Sequence, residues 1–245
     1  MPRYKLTIEY DGTPFVGWQR QANGLSVQEA IETAAQPLGG QPGGVRGAGR
    51  TDAGVHASGQ VAHLDLAKGY PADSVRDAIN ARLKAHPVAI LRAQEVGPGF
   101  DARFSATRRH YLYRIVNRRT PLAIGLGHAW LVKRPLDVEA MAGAAAALLG
   151  QHDFSTFRDS DCQATSPIRT LERFEVERHG EAIELKVSAR SFLHRQVRSM
   201  VGSLILVGVG DWPAHRLREA LDAKDRSRCG TVAPATGLYL AAVDY

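Results

Sequence analysis

A carboxylate and an imidazole, those of Asp52 and His56, are four positions apart in the sequence GRTDAGVHA, residues 49–57, here called the Asp loop. Its glycines allow the positive φ angles of tight turns. Arg50 is two positions from Asp52 and could hold that carboxylate ionised. An ionised aspartate is a known covalent nucleophile, so the loop is a candidate catalytic element. An Asx-turn that only shapes the loop is the alternative.

A second segment alternates cations with aromatics, as RRHYLYR at residues 108–114. The period of two along a strand puts Tyr111 and Tyr113 on one face. A tyrosine beside Arg108 and Arg109 suits stacking on a nucleobase near phosphates. Two tyrosines that pack across strands are the alternative.

A third segment, FLHRQVRSMVG at residues 192–202, predicts the start of a helix with His194 and Arg198 on one side, at i and i+4. Arg198 adjoins apolar positions, and a partly buried guanidinium needs a carboxylate. Asp52 is one candidate partner. The alternative is an arginine that extends along a solvated flank.

The basic surplus is concentrated in two windows of the chain. The net charge is +6 and the pI about 9.5, yet residues 102–136 contain eight Lys/Arg and residues 185–210 contain four, with no Asp or Glu in either. Such windows indicate a groove for a polyanion, because neutralised phosphates release counterions. Two solvated faces would give the same composition.

Several kinds of protein are disfavoured. Residues 44–51, GVRGAGRT, nearly match a phosphate loop, but glycines and a β-branched residue follow where that motif needs a helix. The nine histidines include no HExxH, and Cys162 and Cys229 form no CxxC pair, so we expect no metal and no cofactor. There is no signal-peptide pattern, and the longest apolar run, residues 200–210, is short of the roughly 20 residues that a bilayer needs. We expect a soluble, cytoplasmic protein.

Periodicity and capping signals predict the same order of elements twice. The predicted strands are 4–10, 44–48, 59–66, 88–96, 107–117, 169–177, 182–190 and 238–243; the predicted helices are 26–37, 73–83, 137–149, one spanning 193–207 and one after Pro213.

This order predicts an α+β protein of two ferredoxin-like halves, each β-α-β-β-α-β, joined into a pseudo-symmetric sheet with a central cleft. The predicted domains are residues 1–104, which carry the Asp loop, and residues 105–245, which carry the tyrosine strand and the arginine helix.

Five motifs together resemble the tRNA pseudouridine synthase A family across nearly the whole chain. They are the Asp loop, DGTPFVGWQRQ at residues 11–21, YLY at 111–113, the segment 192–202, and APATGLYL at 233–240. Arg195 and Gln196 depart from the family pattern, which has Asn and Met there.

The resemblance implies an isomerase that converts uridine to pseudouridine at roughly positions 38 to 40 of the tRNA anticodon arm, after the nucleotide flips out of its stack. It implies that Asp52 is the nucleophile, that Tyr111 stacks on the uracil and acts as a base, and that Arg198 pairs with Asp52. Substrate contacts are implied for four further residues: Arg50, Arg108, Arg109 and Leu238. A homodimer is also implied.

Two other functions are compatible with parts of the sequence. A non-catalytic tRNA-binding module would explain the basic windows but not Asp52. A nucleotide hydrolase would need the imperfect phosphate loop to work.

Overall fold

The computed structural model describes residues 1–41 and 43–245 and separates into two compact units. Unit 1 is Met1–Thr107 with Tyr239–Tyr245, and unit 2 is Arg108–Leu238. The described residues form ten strands and five α-helices, so the predicted α+β class is confirmed.

Unit 1 has the predicted β-α-β-β-α-β order. Its elements are β1 (Arg3–Tyr10), α1 (Val27–Ala35), β2 (Arg46–Gly47), β3 (His56–Asp65), α2 (Ala72–Leu83) and β4 (Val88–Val96). In its sheet β1 lies between β4 and β3, antiparallel to both, and β2 pairs with the later part of β3. This is the strand arrangement of a ferredoxin-like unit.

Local sequence explains these elements. Ser26 caps α1, since its side chain accepts the Glu29 N–H at 3.1 Å. The three apolar residues of α2 at intervals of four are its buried ones: Val75, Ile79 and Leu83. Alternate residues of β1 are buried, which places the apolar side of the strand in the core.

The last strand, β10 (Leu238–Asp244), pairs in parallel with the start of β3, through Tyr239↔His56 and Leu240↔Ala57. The sequence places this strand in the second half, but residues 239–245 cluster with unit 1. Close contact accounts for the difference, because a Cβ on Gly59 would be 2.2 Å from the carbonyl oxygen of Ala241.

Unit 2 is a second mixed unit. Its elements are β5 (Arg108–Asn117), β6 (Trp130–Val132), α3 (Val138–Ala146), β7 (Gly150–Asp153), β8 (Ile168–His179), β9 (Ala182–Ala189), α4 (Gln196–Gly208) and α5 (His215–Ala223). Its sheet has the order β5-β9-β8-β7, with β6 parallel to β5. The predicted turn at Gly180, whose φ is 63°, joins β8 to β9.

Three predictions about elements of unit 2 were wrong or incomplete. Helix α3 ends at Ala146 rather than Leu149, since Gly150, with φ 91°, already pairs with Leu171 in β7. The short strands β6 and β7 were not predicted. Helix α4 begins only at Gln196, after Arg195 in the left-handed conformation.

Among residues 1–41 and 43–245, no helix combines the length and the apolar character that crossing a bilayer requires.

Candidate functional site

The Asp loop rests on the segment 11–21. The Trp18 N–H donates to the Thr51 carbonyl at 3.0 Å, and Gly17 forms a β-bridge with Asp52. Gly17 has φ +116°, and a Cβ there would lie 2.7 Å from the Thr51 oxygen. This close approach requires glycine. Two motifs that are distant in sequence are therefore one structural element.

Side-chain hydrogen bonds hold the loop on the N-terminal side of Asp52. The Tyr10 hydroxyl is 2.8 Å from Thr51 Oγ1, and both residues are buried. The Gln60 side-chain amide donates to the Gly49 carbonyl at 2.9 Å. Burial raises the pKa of Tyr10 to about 12, so its phenol is neutral at physiological pH.

Asp52 itself opens a tight turn. Its carbonyl accepts the Val55 N–H at 3.1 Å, and Gly54 adopts φ 75° within the turn. The residue is half-buried. Because its backbone is held on both sides, the carboxylate starts from a defined position rather than from a mobile loop.

His56 belongs to the support of the loop. Its ring is 1% exposed and stacks on Tyr239 at 4.7 Å between centroids. Its Nδ1 is 3.1 Å from both the Gly12 amide nitrogen and Asp11 Oδ1. The amide contact needs an unprotonated Nδ1, whereas the carboxylate contact needs a protonated one. The burial of this ring disfavours His56 as a base acting on an external substrate.

In unit 2 the two tyrosines of the YLY motif have different environments. Tyr111 is half-buried, and its ring meets Phe192 edge-on at 5.1 Å. Tyr113 is fully buried, and its hydroxyl donates to the Pro234 carbonyl at 2.8 Å. The accessible tyrosine is thus Tyr111, and Tyr113 is a core residue.

Arg198, half-buried on α4, is tied to the segment 231–238. Its Nε donates to the Ala233 carbonyl at 2.8 Å, and the Ala233 N–H donates to the Arg198 carbonyl at 3.0 Å. One turn further along α4, a Cβ on Gly202 would be 1.7 Å from the Thr231 carbonyl oxygen. The guanidinium is therefore positioned by a helix and a chain segment in close contact.

The predicted placement of His194 and Arg198 on one side of a helix is wrong, because His194 precedes α4. Arg195, with φ 56°, separates the two residues. Its guanidinium donates to Oδ2 of the buried Asp159 at 3.0 Å, and His194 Nδ1 lies 3.6 Å from Asp159 Oδ1. Asp159 holds this non-glycine residue in a conformation that asparagine adopts more readily.

The four remaining predicted contacts differ in exposure. Arg50 is exposed in unit 1. Arg108 is exposed and pairs with Glu172, whereas the buried Arg109 donates to the Arg190 carbonyl at 2.7 Å. Leu238 is 6% exposed.

Asp52 and Arg50 thus belong to unit 1, and the other predicted site residues belong to unit 2. The pairing of Asp52 with Arg198 stays a prediction. The sequence analysis missed the supporting residues Tyr10, Gly17 and Gly202. Their only sequence signal was their position in or beside the motifs.

A ferredoxin-like unit that presents a supported aspartate loop, followed by a strand with an accessible tyrosine, is typical of a pseudouridine synthase. The family model described as tRNA pseudouridine synthase matches residues 6–105 and 144–245. The chain belongs to this family.

Full-length relatives agree. The tRNA pseudouridine synthase A of Beijerinckia indica is 66% identical over the whole of this chain and 94% of its own length. Those of Maricaulis maris and Methylocella silvestris are 65% and 64% identical over the whole of this chain and 98% and 99% of theirs. A chain of a solved Cbf5-Nop10-Gar1 complex aligns with a TM-score of 0.36 at 12% identity, over 83% of this chain and 45% of that one.

Membership in this family makes the chain an isomerase that converts uridine to pseudouridine, and it favours the catalytic interpretation over the binding module.

Proposed function

We propose that this enzyme isomerises uridines in the anticodon arm of tRNA, at roughly positions 38 to 40, on nucleotides extruded from their stack. The observation that carries the proposal is the geometry at Asp52. Backbone hydrogen bonds at Thr51 and Val55 fix the chain on both sides of the half-buried Asp52, in a protein 66% identical to a tRNA pseudouridine synthase A.

The reaction rearranges bonds without adding or removing atoms. The N1–C1′ bond of the nucleoside breaks, the uracil turns, and a C5–C1′ bond forms while the C5 proton moves to solvent and N1 gains one. In this proposal Asp52 is the nucleophile. Attack on the sugar, attack on the ring and elimination to a glycal are all compatible with a carboxylate at this position.

Tyr111 stacks on the extruded uracil in this proposal, and its hydroxyl acts as the base that takes the C5 proton. Its ring is only half-buried, and Phe192 packs against it nearly at right angles, which supports this role. Arg198 pairs with the Asp52 carboxylate in this proposal. Its connection to Ala233 supports this role, because a fixed guanidinium needs no reorganisation.

Four further residues belong to the substrate site in this proposal: Arg50, Arg108, Arg109 and Leu238. The exposed guanidinium of Arg50 can reach a phosphate of the flipped nucleotide. Arg109 and Leu238, which are buried, shape the site rather than contact phosphate directly. We also propose a cytoplasmic homodimer, from the family resemblance.

The experiment is modification mapping of a full tRNA set by carbodiimide treatment and primer extension. Wild-type protein is expected to produce stops in the anticodon arm, and Asp52→Asn none, with tRNA binding retained. The matched control is Asp73→Asn, which removes an exposed carboxylate on α2 and leaves the stops unchanged. Normal turnover by Asp52→Asn would exclude the nucleophile assignment.

A further inference from the structure

Phe104 is an aromatic side chain that the structure holds out in solvent. It is 77% exposed, although phenylalanine is among the residues most often buried. Single exposed apolar residues need no explanation by themselves. The question is whether the loop could turn this ring inward.

The backbone on either side of Phe104 is fixed by hydrogen bonds. The Asp101 carboxylate accepts the N–H groups of Arg103 and Phe104 at 2.8 and 2.9 Å. The Ser105 hydroxyl accepts the Asp101 N–H at 3.0 Å. Residues 101–105, here called the Phe104 loop, therefore have a defined conformation.

The inner side of the Phe104 loop is already filled. Ala102 is fully buried, with its N–H donating to His63 Nδ1 at 3.0 Å and its carbonyl accepting the Tyr245 hydroxyl at 2.8 Å. The Tyr245 ring packs on Phe100 at 4.9 Å between centroids. Because the inner side of the loop is occupied by these groups, it leaves no room for the Phe104 ring to turn inward.

The surroundings of the ring are cationic. The guanidinium of Arg103 lies 5.4 Å from the Phe104 ring centroid. Burial raises the pKa of the Asp101 carboxyl, but the N–H groups of Phe104 and Arg103 lower it overall, and the charge of the exposed Arg46 adds to the lowering. Asp101 opens the Phe104 loop, and residues 102–136, which follow it, contain eight cations and no acid.

We propose that Phe104 and Arg103 form a stacking site for an unpaired base of the RNA substrate, distinct from the uridine that is isomerised. The ring supplies the stacking surface, and the guanidinium binds the adjacent phosphate. Base stacking on exposed aromatics beside cations is the usual mode for single-stranded nucleic acid. This inference rests on the proposed function, which makes tRNA the ligand.

Three substitutions separate stacking from apolar contact. Phe104→Ala removes the ring, Phe104→Leu keeps apolar volume without a π face, and Phe104→Trp keeps the stacking surface. Leu91→Ala is the matched control, since Leu91 is a 44% exposed apolar residue on β4 of the same unit. Dissociation constants for unmodified tRNA are measured by filter binding at fixed salt, because affinity depends on salt.

We expect the Ala and Leu variants to bind tRNA about tenfold more weakly, and the Trp variant and Leu91→Ala to bind within about twofold of wild type. We expect kcat at saturating tRNA to be unchanged. Arg103→Gln should make the slope of log affinity against log salt concentration shallower, by about the amount that one phosphate contact contributes.

The stacking site would be overturned if Phe104→Ala, or Phe104→Leu, bound tRNA as tightly as the wild-type protein does. Phe104 could instead contact a second copy of this chain, and light scattering tests this alternative. A change in the oligomeric state of Phe104→Ala would assign the ring to such a contact and overturn the stacking site. The mapping experiment on wild-type protein is separate. A protein that binds tRNA through Phe104 but forms no pseudouridine would refute the proposed function and leave the stacking site intact.

Discussion

The phenolic oxygen of Tyr10 lies 2.8 Å from Oγ1 of Thr51, the residue directly before Asp52. This contact joins the end of β1 to the Asp loop in a region where both side chains are buried. The position of the proposed nucleophile therefore depends on a hydroxyl that makes no contact with substrate in the proposed mechanism.

Tyr10→Phe is expected to reduce stability by about 1–2 kcal/mol, because the Thr51 hydroxyl loses its buried partner, and to lower kcat several-fold. Tyr4→Phe is the control. Tyr4 is also buried on β1, and its hydroxyl bonds to the Tyr70 backbone, away from the Asp loop. Urea denaturation should show similar losses for both variants, whereas kcat should fall only for Tyr10→Phe. Equal kcat values would mean that the contact does not position Asp52.

Gly202→Ala tests the close contact beneath Arg198. The added Cβ would meet the Thr231 carbonyl oxygen at 1.7 Å, so α4 and the segment 231–238 must separate. We expect a loss of about 2–3 kcal/mol and a marked fall in kcat. Gly143→Ala is the control, because Gly143 lies in α3 with open space around it. That variant should gain about 0.5–1 kcal/mol from helix propensity. A neutral Gly202→Ala would refute the contact.

Tyr111→Phe should abolish turnover while tRNA binding is retained, because the ring remains and only the proposed base is lost. Tyr111→Ala should weaken binding as well, by about 1–3 kcal/mol, since the stacking surface is removed. Single-turnover kinetics and filter binding measure the two effects. Full activity of the Phe variant would restrict Tyr111 to packing.

The stability of the protein should fall as the pH drops below about 7, in part through His63. Burial, followed by the charge of Arg3, lowers the pKa of this ring. The unfolded chain takes up a proton near pH 6.5 while the folded state does not, so unfolding becomes easier as the pH falls. The acids Asp101 and Asp65 oppose the shift without reversing it.

The check is His63→Asn, whose side-chain oxygen can still accept the Ala102 N–H. The free energy of unfolding, measured by urea denaturation at several pH values, should change less with pH for the variant than for wild type. Equal slopes would exclude His63 as a source of the pH dependence.

Lys224 and Arg195 are non-glycine residues with positive φ, and replacing each by glycine should change the stability of the protein in opposite directions. Lys224 has φ 51° at the exposed end of α5, so Lys224→Gly should stabilise the protein by about 1 kcal/mol. Arg195→Gly relieves the same strain but leaves the buried Asp159 without its guanidinium partner, so it should destabilise the protein. Thermal unfolding compares the two variants. Stabilisation by Arg195→Gly would show that the ion pair contributes little.

The sequence predicted all five α-helices of the described residues and most of their strands, because each shows a local period or a capping residue. Ser26 and the spacing of Val75 and Ile79 are examples. The strands β6 and β7 are too short to display a period. The start of α4 was misplaced because Leu193 continues the helical spacing although the chain turns at Arg195.

In the candidate site, too, local sequence indicated some residues and not others. Motifs made Asp52, Tyr111 and Arg198 the candidates, since the proposed chemistry uses a carboxylate, a stacking ring and a guanidinium. The supporting contacts of Tyr10 and Gly202 depend on which segments meet in space, and no local pattern encodes such long-range contacts. The partner of β10 was missed for this reason too.

The parallel pairing of β10 with β3 has a consequence for biosynthesis. Tyr239, which stacks on His56 under the Asp loop, leaves the ribosome only after all of Arg108–Leu238 has been translated. Unit 1 must therefore keep an unpaired strand edge while unit 2 is made, and closing so long a stretch of chain is slow. The proposed nucleophile comes early in the polypeptide, yet its scaffold is among the last parts to assemble.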